Sequence, residues 1–226
     1  VFGDRGGTES CRINPAKRYS SSVNMRYIFW IFVLIALVLV APLLPSGHLL
    51  TLDALSAPSK IPWASPGSPS FLFGNFLAAI NIFLPSYWIQ KLMLFAVFFL
   101  SGWGMARLVP GRSVVKIFAG IFYVVNPFVY ERVMAGHWDF LLGYAIFPFI
   151  VGAARNFCQK PGVKSAAVLA VLITLAVSFA THWTFVLAAF LSIYFIAYFA
   201  LNRENLFSAV KYFFLFGGLC VLFNIN

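Results

Sequence analysis

Charged residues are scarce in this chain, and acidic residues are the scarcest of all. Only 10% of the 226 residues are charged, with 6 Asp and Glu against 16 Lys and Arg. Soluble domains carry about 25% charged residues, so this composition excludes an ordinary water-soluble fold. Hydrophobic residues instead make up 62% of the chain and aromatic residues 19%. The composition is that of a protein embedded in lipid.

Several motifs of soluble enzymes and metal sites are also missing. The three cysteines, Cys11, Cys158 and Cys220, are scattered without a CxxC spacing, so they indicate neither a disulfide framework nor a zinc site. The chain has no glycine-rich phosphate loop and no G-x-S-x-G sequence, which are signatures of soluble nucleotide chemistry and serine hydrolysis. Any chemistry must therefore come from the few ionisable residues that lie between apolar runs.

Long apolar runs dominate what is present. Most have roughly 17–20 residues, about the length that crosses a hydrocarbon core of ~30 Å. Because lipid offers no partner for unpaired backbone groups, such runs form helices. They predict an all-α, polytopic helical membrane protein with about seven transmembrane helices, at residues 27–45, 87–108, 114–130, 138–155, 164–181, 183–201 and 206–225. The third run is interrupted at Asn126-Pro127, so we expect its helix to stop inside the membrane.

Two segments depart from this pattern. Residues 1–24 are polar and aperiodic, which predicts a disordered cytoplasmic tail or translated sequence upstream of a start at Met25. The transmembrane helical domain then covers 25–226, with 46–86 as a long extracytoplasmic loop. Within that loop, the run FLFGNFLAAINIFL at 71–84 is too short to span a bilayer, and it is typical of an interfacial or re-entrant helix.

Lysine and arginine indicate the orientation. With the N-terminus in the cytoplasm, only Lys60, Lys91 and Arg132 of the 16 basic residues lie outside. This distribution follows the positive-inside rule for a multi-pass protein of the plasma membrane. The net charge of +10 is then mainly a topology signal, with some attraction to anionic membrane lipids, and nucleic-acid binding is not indicated. The same orientation places all three histidines on the extracytoplasmic side.

The stretch VNPFVYERVMAGHWDF at 125–140 gathers ionisable residues at one outer turn. It holds Glu131, Arg132, His137 and Asp139 within nine positions. Ionisable groups at membrane depth are costly and usually face a cavity or a pathway. Arginine suits bidentate contact with phosphate, and an imidazole can donate to phosphate or pass a proton. The structural alternative is a Glu–Arg ion pair that anchors a helix end, with the imidazole simply solvated.

A short repeat adds another histidine to the outer face. AGHWDFLL at 135–142 and ATHWTFVL at 180–187 share the pattern A-x-H-W-x-F-x-L, and both begin helices that run from outside to inside. The pattern places His182 beside a tryptophan at a helix start, as it does His137. This arrangement fits an interfacial aromatic belt or a pair of phosphate-binding imidazoles.

The long outer loop supplies the remaining candidates. Asp53, in GHLLTLDALSAP just beyond the first span, is either a general base at the membrane surface or the N-cap of a short loop helix. Lys60, Trp63 and the 71–84 segment would form the floor of a site there. A divalent cation could bind among these acids and histidines, although the sequence does not define their mutual geometry.

The order of these features resembles a known family. A long outer loop opening with LLTLDALSAP, followed by NPFVYERVMAGHWDFLLGYAIFPF, is similar to prokaryotic multi-spanning membrane glycosyltransferases of the GT-C type. The YfhO-like and arabinofuranosyltransferase-like members are the most similar in this respect. The resemblance covers about residues 27–226. It implies an enzyme that takes sugars from polyprenyl phosphate at the outer face.

This resemblance also implies roles for individual acids. The family places a catalytic base in the first outer loop, which by position is Asp53, and Glu131 matches an acid common in the second loop. GT-C proteins usually have more spans and often a soluble outer domain. We therefore expect this chain to be a fragment of a longer reading frame.

The leading hypothesis is transfer of a sugar from a polyprenyl-phosphate-linked donor to an extracytoplasmic acceptor. The candidate catalytic residues are Asp53, Glu131 and His137, and the candidate substrate-binding residues are Arg132, Lys60, Asp139 and His182. The partners implied are the lipid-linked donor and membrane lipids. The alternatives are a transporter or flippase for a lipid-linked or anionic solute, and a non-catalytic assembly subunit. Clustering of ionisable groups on one face, instead of at the midplane, favours the enzyme.

Overall fold

The computed structural model describes most of the chain between Asn24 and Asn202. The described residues are 24–45, 47–52, 60–68, 71–202, 211, 212, 214, 217 and 218. Residues 1–23 of the predicted tail lie outside them, as do the predicted base Asp53 and most of the predicted seventh span at 206–225. Every regular element within the described ranges is helical, as the composition predicts.

Eight α-helices follow one another between residues 25 and 201. They are α1 (Met25–Val40), α2 (Phe71–Asn81), α3 (Ser86–Leu108), α4 (Ser113–Val124), α5 (Pro127–Ala135), α6 (Trp138–Gln159), α7 (Val163–Phe179) and α8 (Trp183–Leu201). A short 3₁₀ turn, Ala41–Leu43, prolongs α1. The 11-residue α2 is the short helix predicted in the first loop.

Among the described residues, five apolar helical stretches are long enough to cross a membrane. They are α1 with its 3₁₀ turn, α3, α4 together with α5, α6, and α8. The apolar helix α7 is slightly shorter, at 17 residues. The fold is therefore that of an all-helical membrane protein. Its described helices coincide with six of the predicted spans, and most of the seventh lies outside the described residues.

The stretch Ser113–Ala135 is broken at Asn126-Pro127, as predicted. Asn126 caps both sides of the break, because its Oδ1 accepts from the Val129 N–H at 3.0 Å and its Nδ2 donates to the Tyr123 carbonyl at 2.9 Å. The predicted end of this span at residue 130 is too early. Proline at the first helical position favours a new helix, so the chain continues as α5.

Small residues let α1, α3 and α4 pack closely. A Cβ added to Gly120 of α4 would lie 2.6 Å from the carbonyl oxygen of Gly102 in α3, and 2.2 Å from Cζ of Phe32 in α1. Phe32 is fully buried at this junction. Membrane helices commonly approach one another through such residues, since lipid provides no hydrophobic drive for their association.

Helix α6 lies at the centre of the bundle and contacts α3, α5, α7 and α8. Aromatic pairs join it to α8, with ring centroids 4.9 Å apart for Phe147 and Phe190 and 6.0 Å apart for Phe157 and Phe195. These pairs lie at successive levels along both helices, so α6 and α8 run in the same direction. The central position of α6 fixes the turn that precedes it.

The two ends of the bundle carry different residues. Phe29 of α1 packs on Trp103 of α3, while Lys91 of α3 contacts the chain just after α1, so these helices are antiparallel. We call one end the basic end, because it carries Arg26, Arg107, Arg112, Lys116, Arg155, Lys160 and Lys164. We call the other the histidine end, because it carries His48, His137 and His182. The cytoplasmic position of the basic end stays a prediction.

Candidate functional site

The turn between α5 and α6 reverses the chain at Gly136. This residue has φ 90° and ψ 12°, the left-handed conformation that glycine adopts without strain. Its N–H and that of His137 both donate to the Arg132 carbonyl, at 3.1 and 3.0 Å. The reversal brings the imidazole of His137 back beside the side chain of Arg132.

Arg132 and His137 are in direct contact. The Arg132 Nη1 lies 2.9 Å from the His137 Nδ1. A guanidinium only donates hydrogen bonds, so Nδ1 is the acceptor and the imidazole carries its proton on Nε2. Phe128, one turn earlier in α5, lies with its ring centroid 5.6 Å from the Arg132 Cζ. The guanidinium is thus held by two side chains of its own segment.

No acidic residue of the described chain pairs with Arg132. Glu131 is exposed on α5, and the exposed Asp139 accepts from the Phe140 N–H at 2.8 Å. The Glu–Arg ion pair that would explain this turn structurally does not form. The Arg132 Nε is buried and has no hydrogen-bond partner among the residues that the structure describes. A buried donor left unpaired costs about 1–3 kcal/mol, so this N–H is suited to an incoming acceptor.

The two tryptophans of the A-x-H-W repeat support this turn from within the bundle. Trp138 and Trp183 are only 5% and 4% exposed. The Trp138 Nε1 donates to the Val133 carbonyl at 3.1 Å, and the Trp183 Nε1 donates to the Phe140 carbonyl at 3.0 Å. Both rings therefore pack inside the protein, and the repeat marks two equivalent helix starts that are fixed by indole hydrogen bonds.

A tyrosine pair behind the turn was not singled out from the sequence. The rings of Tyr123 and Tyr144 stack at 4.2 Å, and each hydroxyl donates to the other residue's carbonyl at 3.0 Å. Asn126 Nδ2 adds a bond of 3.2 Å to the Tyr144 hydroxyl. These bonds join the break in α4–α5 to α6. The available signal was Tyr123, shortly before Asn126, and Tyr144, within α6, each in an otherwise phenylalanine-rich run.

Lys91 ties the start of the first outer loop to α3. This side chain is 2% exposed, and its Nζ donates to the carbonyls of Leu44 and Pro45 at 3.2 and 2.5 Å. The ring centroids of Tyr87 and Trp88 lie 5.1 and 5.0 Å from the Lys91 Nζ. A cation at the carbonyl end of a helix is favourable, so Lys91 is explained by a structural role.

Two further contacts hold the same loop. The His48 Nε2 lies 2.8 Å from the Ser86 Oγ, and the Leu49 N–H donates to the Gln90 Oε1 at 3.1 Å. The chain that leads towards Asp53 therefore starts from a defined position at the histidine end. None of these contacts was predicted from the sequence.

The other predicted site residues are less connected. Lys60 and His182 are exposed, and neither side chain forms a hydrogen bond with the part of the chain that is described. Asp53 lies outside the described residues, so its predicted meeting with Glu131 and His137 stays a prediction. The structure brings together only the Arg132 and His137 side chains of the predicted set, within the ranges it covers.

The predicted metal site also involves Asp53, which lies outside the described residues. Among the described residues, no group of three His, Cys, Asp or Glu side chains is placed to hold a metal ion. Asp53, the acid that the sequence places nearest to such a role, is not among them. The predicted divalent cation is therefore neither supported nor opposed.

The helices and this turn define the protein as an all-helical membrane protein with an arginine–histidine contact at one end of its bundle. No family model, no curated protein and no solved structure matches the chain. The similarity to GT-C glycosyltransferases consequently rests on the sequence features alone.

Proposed function

We propose that the protein transfers a sugar from a polyprenyl-phosphate donor to an acceptor on the extracytoplasmic side. The observation that carries the proposal is the Arg132 guanidinium, which contacts a histidine, has no acidic partner among described residues and has an unpaired buried Nε. Arginine presents its donors in a fork that matches two oxygens of a phosphate group. A phosphate is therefore the ligand that best suits this position.

The chemistry divides between the loop and the turn. Asp53 takes the proton from the acceptor hydroxyl, whose oxygen attacks the anomeric carbon as the bond from that carbon to the phosphate oxygen breaks. Negative charge then develops on the departing phosphate, where Arg132 donates to it. His137 helps Arg132 by accepting one of its hydrogen bonds at Nδ1, which orients the guanidinium. Glu131 is the second catalytic acid of the proposed site, and Asp139, Lys60 and His182 complete the proposed substrate-binding surface.

A large apolar cavity supports a lipid-linked donor. A space of about 680 Å³ lies between α2, α3, α6 and α7. Its walls are almost entirely hydrocarbon and include Phe73, Phe76, Ile89, Met93, Leu142 and Phe179. An isoprenoid chain that remained in the membrane would fit such walls, since both are apolar.

The break in α4–α5 favours a second candidate, a transporter or flippase for an anionic or lipid-linked solute. Interrupted helices often form binding sites in transporters because they expose backbone groups inside the membrane. Here, however, Asn126 and the tyrosine pair already satisfy groups at the break. The observation therefore gives this candidate weaker support than Arg132 gives the enzyme.

The test is sugar release from a radiolabelled polyprenyl-phosphate donor by the full-length protein in liposomes. Arg132→Ala should lower transfer by about 10²–10³-fold, the usual effect of removing one donor to a developing negative charge. Arg132→Lys should lose less, because it keeps the charge and loses only the fork. Arg112→Ala, which removes an exposed cation at the basic end, is the matched control and should be unaffected.

Two results would contradict the proposal. Equal transfer by Arg132→Ala and wild type, at matched expression and thermal midpoint, would remove Arg132 from the mechanism. Absence of transfer with any lipid-linked sugar, together with solute flux that is lost in Arg132→Ala, would establish the transporter instead.

A further inference from the structure

Another cavity lies at the basic end, far along the bundle from Arg132. It has a volume of about 660 Å³ and lies between the start of α1 and the end of α3. Its lining residues are Met25, Arg26, Phe29, Trp30, Trp103 and Arg107. Two guanidinium groups thus share one cavity with three aromatic rings.

The cations of this cavity have no acidic partner within the described part of the chain. Arg26 and Arg107 are exposed, and neither pairs with a carboxylate of the described chain. The described acids, Glu131 and Asp139, both belong to the α5–α6 turn at the opposite end. Lys116 of α4 adds a third cation nearby, with its Nζ 3.9 Å from the Met25 Sδ. Among the described residues, positive charge from three helices therefore converges here without an acidic partner.

The aromatic wall of the cavity is rigid. Trp103 stacks on Phe99 at 5.7 Å and meets Phe29 edge-to-face at 5.6 Å, so its ring is fixed on both sides. The Arg107 Cζ lies 4.8 Å from the Trp103 ring centroid, which holds that guanidinium over the indole. Trp30 is 65% exposed on the outer surface of α1. The cavity is cationic at its mouth and apolar along the helices.

We propose that this cavity binds the headgroup of an anionic phospholipid, with the acyl chains lying along α1 and α3. Basic pockets between helices at a membrane surface are suited to such headgroups, and arginine binds phosphate oxygens in pairs. An amphiphile also fits the combination of cationic mouth and aromatic wall, which a free phosphate ion would leave unused. The inference rests on the membrane fold and does not depend on sugar transfer.

Native mass spectrometry of the full-length protein tests this proposal. The protein would be released from nanodiscs that contain equal amounts of phosphatidylglycerol and phosphatidylcholine, and the retained lipids counted. Wild type should retain phosphatidylglycerol selectively. The double variant Arg26→Gln/Arg107→Gln should retain about 25-fold less, since each basic residue near an anionic surface contributes about a fivefold preference.

A matched double variant separates a site from general surface charge. Lys160→Gln/Lys164→Gln removes the same charge from the same end, on the α6–α7 side of the bundle. It should retain phosphatidylglycerol as wild type does. Equal losses in both double variants would overturn the proposal in favour of unspecific attraction, and retention by both would overturn it outright.

A competition arm distinguishes lipid from free phosphate. Millimolar glycerol 3-phosphate carries the phosphate chemistry without the acyl chains, and it should not displace the bound phosphatidylglycerol. Displacement that requires Arg26 and Arg107 would show a site for soluble phosphates and would contradict the lipid assignment. The thermal midpoints of all variants should match that of wild type, because the substituted side chains are exposed.

Discussion

The histidine end and the basic end of the bundle use polar residues in opposite ways. At the histidine end, Arg132, Lys91 and His48 are each bonded to a defined neighbour. At the basic end, Arg26 and Arg107 form no hydrogen bond or ion pair through their side chains within the described chain. The histidine end therefore has few charged side chains but fixed hydrogen bonds. The basic end has many charged side chains and few fixed hydrogen bonds.

This difference shows that the number of charged residues at one end does not indicate whether they form a binding or catalytic site. Repeated cations at the basic end fit orientation by the positive-inside rule, which requires charge but no geometry. The fixed polar groups of the histidine end fit a site, because positioning is what a catalytic or binding group requires. Charge alone would point to the basic end, where the cations are more numerous.

The largest expected effect concerns Asp53, the proposed base at the histidine end. Asp53→Asn keeps the shape of the side chain but cannot accept the acceptor's proton, so transfer should fall by about 10²–10⁴-fold. The measurement is release of labelled sugar at matched expression, with Arg112→Ala as the control, because it removes an exposed charge at the basic end. Unchanged activity in Asp53→Asn would leave the histidine end with an anion site but without its base.

A smaller effect is expected from Gly120, which lies where α4 packs against α3. Gly120→Ala places a Cβ 2.6 Å from the backbone oxygen of Gly102, and such overpacking costs about 1–3 kcal/mol. The thermal midpoint in detergent should therefore fall. Gly152→Ala, where nothing lies within 4 Å of the added Cβ, is the matched control and should hold or raise the midpoint. Equal midpoints for the two variants would mean that α4 does not pack on α3 as described.

The smallest and most local effect is expected from Lys91. Lys91→Met keeps the length of the side chain but leaves the Leu44 and Pro45 carbonyls without their donor, each at a cost of about 1–3 kcal/mol. Removal of a buried charge offsets part of that cost, so the global midpoint should change little. Hydrogen exchange of the 47–52 segment should rise. Unchanged exchange there would show that Lys91 does not hold the loop.

The sequence predicted the helical membrane fold well because apolar length is a one-dimensional property. It also predicted the break at Asn126-Pro127, since proline and its preceding cap act locally. It placed the end of that span too early. The length of an apolar run does not show that a second helix begins at Pro127. That helix is capped by the hydrogen bond from the Val129 N–H to the Asn126 side chain, which forms only once the chain has turned.

The geometry of the site was less accessible. The sequence shows that Arg132 and His137 are five positions apart, but the contact between their side chains depends on the left-handed turn at Gly136. The tyrosine pair depends on the alignment of α4 with α6, which no local pattern encodes. Lys91 was read as one of three outer cations, and its burial against two carbonyls became evident only from packing.

The orientation of the two ends is the central claim, and cysteine labelling tests it most directly. Single cysteines at Ser68 or Ala135 report the histidine end, and one at Gly162 reports the basic end. A membrane-impermeant thiol reagent added outside intact cells, with the native cysteines replaced, should modify the first two and spare the third. Labelling at Gly162 alone would place the Arg132–His137 contact in the cytoplasm and contradict an extracytoplasmic transferase.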